Sequence, residues 1–394
     1  MNFLKKRYAF KNPLKRLLAF FFDGTGTLLC LPFRLIRKPH SAENIRKILA
    51  VRLDHIGDVA MTRPSLAALK KKFPEAEIDL LVSAGVKDLF IDQPEIHEVI
   101  PFENSWFSSH SSFRGEIAEF NRMRKILKAG GYNLGIDFRG DLRNILLMTF
   151  AGIPYRLGYG RTGGSFLLSE TVPYPSDEHQ VKVNLRLLES LGINGEPEGT
   201  PFDYSEEQKE NFRTRFPHIA LTGEGRKIVI HPTAGYPSKQ WPLIKYWQLI
   251  QRMAYENRGQ MILIGSEKDR YSEDVFESLP EKVIDLRGKT SLRDLPVLFD
   301  LCDFYIGNDS GPAHLAALQG LPVLVIAGGT NRLSEWHPWT SRFFAASHPV
   351  PCSPCEAREC PLKHHDCMMK ITVDEVYEKM KTMMSSTLEL AERI

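Results

Sequence analysis

A chain of 394 residues is long enough for two ordinary domains, each with its own core. Hydrophobic residues at 43% and charged residues at 25% give a soluble globular balance, not that of a disordered or membrane-spanning chain. The formal charge of +3 hides an asymmetry: residues 1–47 carry eleven Lys or Arg against two acids, which leaves −6 for the rest and argues against a basic nucleic-acid-binding body.

The basic head contains an apolar stretch, Leu17 to Phe22 and then Leu28 to Leu31 and Phe33. Lys5, Lys6, Arg7, Lys11, Lys15 and Arg16 precede it, and Arg34, Arg37 and Lys38 follow. Asp23-Gly24-Thr25-Gly26 interrupts it, so no run of about 20 apolar residues is available to cross a bilayer. No small-x-small cleavage site follows, so a removed signal peptide is not expected. Apolar groups between cationic flanks suit a segment lying on an anionic membrane surface, and this reading is favoured over a poorly ordered basic extension. The expected location is cytoplasmic, peripheral on the inner face of the cytoplasmic membrane.

From Ile48 strands and helices alternate. Ile48 to Leu53 is a short apolar run, as a buried parallel strand requires. Pro64 to Lys72 reads as a helix, Ile78 to Val82 as a strand and Val99-Ile100 as a third. A helix over Glu116 to Lys128 precedes a strand at Leu134 to Asp137 and a helix over Leu142 to Phe150. After a helical stretch from Asp177 to Leu191, residues 192–225 turn polar and rich in Gly, Pro and Glu. The alternation then restarts, with strands at Lys227 to His231, Met261 to Ile264, Val283 to Leu286, Phe304 to Ile306 and Val323 to Ile326. Helices are expected over Pro242 to Glu256, Leu292 to Asp300, Pro312 to Leu318 and Glu375 to Glu389. This βαβ grammar predicts an α/β protein with two doubly wound parallel-sheet domains and a cleft between them. The expected division is a basic amphipathic extension over 1–47, a first domain over 48–200, a linker over 201–225, a second domain over 226–370 and a terminal helix over 371–394.

Four of six cysteines cluster as Cys352, Cys355, Cys360 and Cys367, with His364 and His365 in the last interval. The spacing fits a structural zinc, a reduced thiol cluster or two short-range disulfides, the last least expected without an export signal. With four protein ligands available, a catalytic zinc with an open position is disfavoured, and no metal or cofactor is assigned to the site.

Parallel sheets bind ligands at the carboxyl ends of their strands, so the loops there carry the candidates. His231 to Pro242 leaves a strand and enters a helix. It contains small residues and hydroxyls, Lys239 adds a point charge for a phosphate, and the helix-start amides would face an anion. Gly265 to Arg270 follows the next strand, and a carboxylate there suits ribose hydroxyls. In Gly307 to His314, Ser310 suits a helix cap, Gly311 a close backbone approach, Asp309 donor hydroxyls and His314 a phosphate. Asp309 and Ser310 acting only as helix caps is the plainer alternative. In the first half, Asp58 is the leading carboxylate to take a proton from an acceptor hydroxyl, with Asp54 and His55 as competitors and an N-cap role as its alternative. No G-x-G-x-x-G follows the first strand of either half, which disfavours a dinucleotide oxidoreductase.

These loops, in this order, resemble glycosyltransferase family 9, the ADP-heptose:lipopolysaccharide heptosyltransferases. The resemblance rests on Ile56-Gly57-Asp58-Val59, on His231-Pro232 through Lys239-Gln240-Trp241-Pro242, on Gly288 to Leu292, and on Asp309 to His314. It implies a GT-B architecture, two Rossmann-like domains facing a central cleft, and an inverting, metal-independent transfer of heptose from ADP-heptose to a lipopolysaccharide inner core. By matching position it implies Asp58 as general base, and Thr233, Lys239, Asp269, Asp309, Ser310, Gly311 and His314 as donor-binding residues. The family commonly has Glu where this chain has Asp269. Arg139 and Arg143, after a first-half strand, suit an anionic, lipid-linked saccharide acceptor, with surface charge as their plain alternative. The competing functions are a family member with another nucleotide sugar or acceptor, and a nucleotide-sugar-binding membrane-associated protein without turnover.

Overall fold

The computed structural model describes residues 2–36, 45–103, 113–196, 199–220, 225–270 and 274–391. Arg37 and Lys38 of the basic flank, and parts of the polar 192–225 segment, lie outside them. The chain divides into two compact units, residues 1–198 and 199–394.

The first unit holds six parallel strands: β1 Lys47–Arg52, β2 Glu77–Ser83, β3 Glu98–Phe102, β4 Leu134–Asp137, β5 Tyr155–Gly158 and β6 Glu170–Thr171. Their order is β3-β2-β1-β4-β5-β6, the doubly wound arrangement in which strand order reverses between β1 and β4. Ile48, Leu49, Ala50 and Val51 are wholly buried, because helices cover both faces of a parallel sheet.

The second unit repeats the plan with β7 Lys227–His231, β8 Gln260–Leu263, β9 Val283–Asp285, β10 Phe304–Asn308, β11 Val323–Ala327 and β12 Phe343–Ser347. The order β12-β11-β10-β7-β8-β9 is the same sequence of crossovers, with its reversal between β7 and β10. Gly307 of β10 pairs with His231 of β7, and a Cβ at Gly307 would stand 2.8 Å from the His231 carbonyl oxygen, so this crossing is open only to glycine.

Two expectations change, and the amino-terminal segment takes a definite form. The Asp23-Gly24-Thr25-Gly26 break in the apolar run falls inside one helix, Pro13–Ile36. Thr25 and Thr27 donate their hydroxyls to the carbonyls of Phe21 and Asp23, four residues back, so their polar groups are satisfied within the helix. The polar 201–225 segment contains the helix Glu206–Arg215, started by a capping box of Ser205 and Gln208. Phe212 is buried and Arg215 pairs with Asp294 at 2.8 Å, which fastens this helix to the second unit. The terminal helix Val373–Ala391 likewise belongs to that unit's core, where Val376, Tyr377, Met380 and Met383 pack beside Trp241 and Tyr246.

Candidate functional site

In each unit the candidate residues gather at the point where strand order reverses, except Asp269, which follows β8. In the first unit, β1 ends at Arg52 and the helix Ile56–Ala60 begins after His55, which puts Asp58 in its first turn. Asp58 is therefore not the N-cap. Asp54 is buried between two guanidiniums, Arg52 at 2.9 Å and Arg139. Asp58 has one longer contact, 3.4 Å to Arg52, and its side chain is 17% exposed against 6% for Asp54. The three residues that competed for one role thus separate: Asp54 is locked in a charge network, His55 is exposed, and Asp58 touches Arg52 yet stays reachable.

Arg52, not singled out from the sequence, organises this loop. It donates to the Phe138 carbonyl at 2.7 Å and to Asn184 at 3.4 Å, and Asn184 in turn donates to the Met61 carbonyl at 3.0 Å. Arg139 and Arg143 follow β4, across the reversal from Asp58. Arg143 forks onto Asp141, with both contacts at 2.9 Å, while Asp141 caps the helix Leu142–Phe150. Burial pushes the Arg139 guanidinium down to about 10, against the raising effect of Asp141. Both arginines are engaged by carboxylates of their own unit.

Asp137, at the carboxyl end of β4, was also missed, since it reads as the last residue of a strand. It is wholly buried and accepts from the backbone of Arg139 and Asp141 and from the Asn144 amide at 3.0 Å. Burial pushes its carboxyl up to about 7 despite those three donors. A carboxyl raised above its ordinary 3.8 gives stability that is full below about 4 and lost as pH rises through about 7. The first unit is therefore expected to melt at lower temperature at pH 8 than at pH 5. Asp137→Asn, compared by thermal melts at the two pH values, should lose most of that difference.

In the second unit the loops after β7 and β10 are bound to each other. Lys239 meets Asp309 at 2.8 Å, and Asn331 donates to the same carboxylate oxygen at 3.1 Å. His314 lies 3.9 Å from the other oxygen. His231 bonds Ser310 Oγ at 3.1 Å through Nδ1 and Thr233 Oγ1 at 3.2 Å through Nε2. Burial lowers the His231 pKa, so its imidazole is neutral and links the two loops without charge. Ser310 stands at the N-cap of Gly311–Leu318, yet its hydroxyl makes no cap bond, because His231 takes it. The expected capping use of that hydroxyl is therefore corrected.

The loop after β7 also differs from expectation. Pro237–Lys239 is a single tight turn, and the Trp241 amide donates to Asn308 at 3.1 Å, so that amide is not aimed at an anion. Trp241 is a core residue, packed edge-on against Tyr246, with its indole donating to the Ile371 carbonyl. The remaining cation in the loop is Lys239. The cysteine segment braces it from behind: Ser238 donates its amide to the Arg358 carbonyl at 3.1 Å, and His365 contacts the Ser238 carbonyl at 3.0 Å. These contacts join residues more than a hundred positions apart and leave no local signal. Among the described residues, no three His, Cys, Asp or Glu side chains converge as a metal site.

Asp269 accepts from the Ser266 amide at 2.6 Å and from its hydroxyl at 2.7 Å. It lines a cavity of about 330 Å³ together with Thr233, Pro237, Gln240 and Trp241. A larger hollow of about 400 Å³ lies among Arg226, Phe304, Pro322 and Arg342, at the amino ends of the strands. Ligands of doubly wound sheets bind at the carboxyl ends, so the smaller cavity is the candidate.

This geometry has relatives. The family profile for glycosyltransferase family 9 (heptosyltransferase) matches residues 120–365. Lipooligosaccharide heptosyltransferase 2 of Campylobacter jejuni is 24% identical over 339 residues, covering 84% of this chain and 96% of that one. Lipopolysaccharide heptosyltransferase 3 of Escherichia coli K12 is 28% identical over 304 residues, covering 74% and 86%. Among solved structures, E. coli ADP-heptose lps heptosyltransferase II superposes with a TM-score of 0.70 at 22% identity, over 86% of this chain and 99% of its own. E. coli heptosyltransferase WaaC with ADP gives 0.65 at 19% identity, over 86% and 99%. Two Rossmann-like units, each with candidate residues at the reversal of strand order, carry the GT-B fold, and the chain belongs to glycosyltransferase family 9, the heptosyltransferases, as a glycosyltransferase.

Proposed function

We propose that the chain transfers heptose from ADP-heptose to an anionic, lipid-linked inner-core saccharide of lipopolysaccharide, with inversion and without a metal. The observation that carries this reading is the joining of Lys239, Asp309, Thr233, His231 and Ser310 at one strand-order reversal of the second unit. Lys239 and Thr233 take the diphosphate, Asp269 takes a ribose hydroxyl, and Asp309, Ser310, Gly311 and His314 position the donor. Asp58 removes the proton from the acceptor hydroxyl as its oxygen forms a bond to the anomeric carbon. The bond from that carbon to the diphosphate oxygen breaks, and ADP leaves with the electron pair. Attack from the face opposite the leaving group inverts the anomeric centre. Lys239 is the fixed positive charge where the diphosphate charge grows, the role a metal plays in other transferases. Arg139 and Arg143 meet the acidic or phosphorylated groups of the acceptor.

The relatives named above support the sugar and the acceptor by what they are called. The basic head supports a location at the inner face of the cytoplasmic membrane, where a lipid-linked acceptor is found. Calorimetric titration of the purified protein with ADP-heptose, a uridine diphosphate sugar and a guanosine diphosphate sugar tests the donor. The reading predicts binding of the adenine donor with EDTA present; preference for a uridine donor would overturn it.

A further inference from the structure

The helix Pro13–Ile36 is amphipathic in the reverse sense: Ala19, Asp23 and Gly26 are buried against the protein, and most of its large apolar residues are exposed. Asp23 is 2% exposed, and one of its oxygens accepts from the Gly164 amide at 2.6 Å. The other accepts from the Tyr8 and Ser165 hydroxyls, each at 2.9 Å. Gly26 lies flat on the Phe166 ring, where any Cβ would come within 2.4 Å of it, and Phe22 meets the same ring edge-on. The backbone of the preceding segment is tied down too, with the Ala9 amide donating to the Arg161 carbonyl at 2.9 Å. Ala19, Asp23 and Gly26 form one stripe at helical spacing, and this stripe is the docked one.

On the opposite side stand Leu14, Leu17, Phe21 and Leu28, again at helical spacing. Leu14 is 61% exposed, Phe21 59% and Leu28 72%. From Leu17 to Pro32 the only charged residue is Asp23, and it is turned inward. At 1.5 Å per residue this uncharged length runs about 24 Å. Exposed apolar stripes of this kind mark a surface that something covers. The charges indicate what covers it. Lys5, Lys6, Lys11 and Lys15 are exposed at the amino-terminal end, and Asp23 is the only acid between residues 2 and 36. A second copy of this segment would bring cations to cations, whereas a bilayer offers acyl chains to the leucines and anionic headgroups to the lysines. No helix among the described residues is long and apolar enough to cross a membrane.

We infer that this helix lies in the interface of an anionic bilayer, with Leu14, Leu17, Phe21 and Leu28 inserted at the acyl boundary and the Asp23 contacts fastening it to the first unit. The inference rests on the membrane location proposed above and specifies its mode: insertion of an apolar face, not charge attraction alone. Asp23 supplies the reason a charge sits in the middle of an apolar helix. It holds the unit that carries Asp58 to the membrane-bound segment.

Vesicle flotation of the full chain tests this, with phosphatidylcholine vesicles with and without phosphatidylglycerol. The wild type is expected to float with the anionic vesicles and to be retained in part at high salt, which screens headgroup attraction. Phe21→Asp with Leu28→Asp is expected to lower the bound fraction at least tenfold, with ADP release on a soluble truncated acceptor unchanged. A Leu28→Trp variant gives an independent readout, quenching of its fluorescence by brominated lipid. Flotation unchanged by the paired aspartates, or no quenching, would overturn insertion and leave charge attraction alone. A wild type that ignores vesicles would overturn the membrane location itself. Light scattering that shows a dimer broken by the paired aspartates would assign the face to a second copy instead. The flotation, quenching and scattering outcomes do not depend on which sugar the enzyme transfers.

Discussion

Asp58→Ala is expected to lower the transfer rate by about 10² to 10⁴, the usual worth of a positioned general base, while donor affinity stays at the wild-type value. The split follows from where the residues stand. Asp58 belongs to the first helical turn after β1, and the residues proposed to bind the donor follow β7, β8 and β10 of the other unit. Removing it costs the fold little, because Arg52 keeps its 2.9 Å contact to Asp54 and its bond to the Phe138 carbonyl. Asp54→Ala should behave differently. It strips the buried Arg52 and the half-buried Arg139 of a shared partner, so loss of stability is expected to accompany any loss of rate. Stopped-assay kinetics, donor calorimetry and thermal melts on the two variants check this. Wild-type turnover by Asp58→Ala would remove it from the mechanism.

Lys239→Ala is expected to weaken donor binding by about 10- to 100-fold, the range for loss of a charge-assisted contact to phosphate. It should also destabilise the second unit, because Asp309 is left as a buried carboxylate whose remaining partners among the described residues are Asn331 and the more distant His314. The two effects separate in a double variant. Asp309→Asn in the Lys239→Ala background removes the uncompensated charge and should restore much of the melting temperature without restoring affinity. If affinity returns together with stability, Lys239 serves only as the structural partner of Asp309. Lys239→Arg keeps the charge but not the compact ammonium, and an intermediate affinity is expected from it.

Much of this was legible in the sequence where a local pattern had one physical cause. Continuous apolar runs such as Ile48 to Val51 and Val323 to Ile326 are strands because a parallel sheet covered on both faces buries every side chain. The loops that follow them were found for the same reason. Strands β5, β6 and β12 escaped, since Tyr155–Gly158 includes an arginine and Glu170–Thr171 is only two residues long. The start of Glu206–Arg215 was written in the sequence as Ser205 with Gln208 three residues on, but the polar composition around it spoke for a linker. Roles that depend on distant partners had no local sign. Lys239 with Asp309, Asp54 with Arg139, and Asp23 with Gly164 join residues far apart in the chain, and only the fold decides which carboxylate is locked and which is reachable.

The transfer itself is tested most directly by mass spectrometry of a truncated lipopolysaccharide core incubated with the protein, ADP-heptose and EDTA. One added heptosyl residue per ADP released is expected, with Asp58→Ala giving neither. An acceptor of unchanged mass while ADP accumulates, or no ADP released at all, would contradict it.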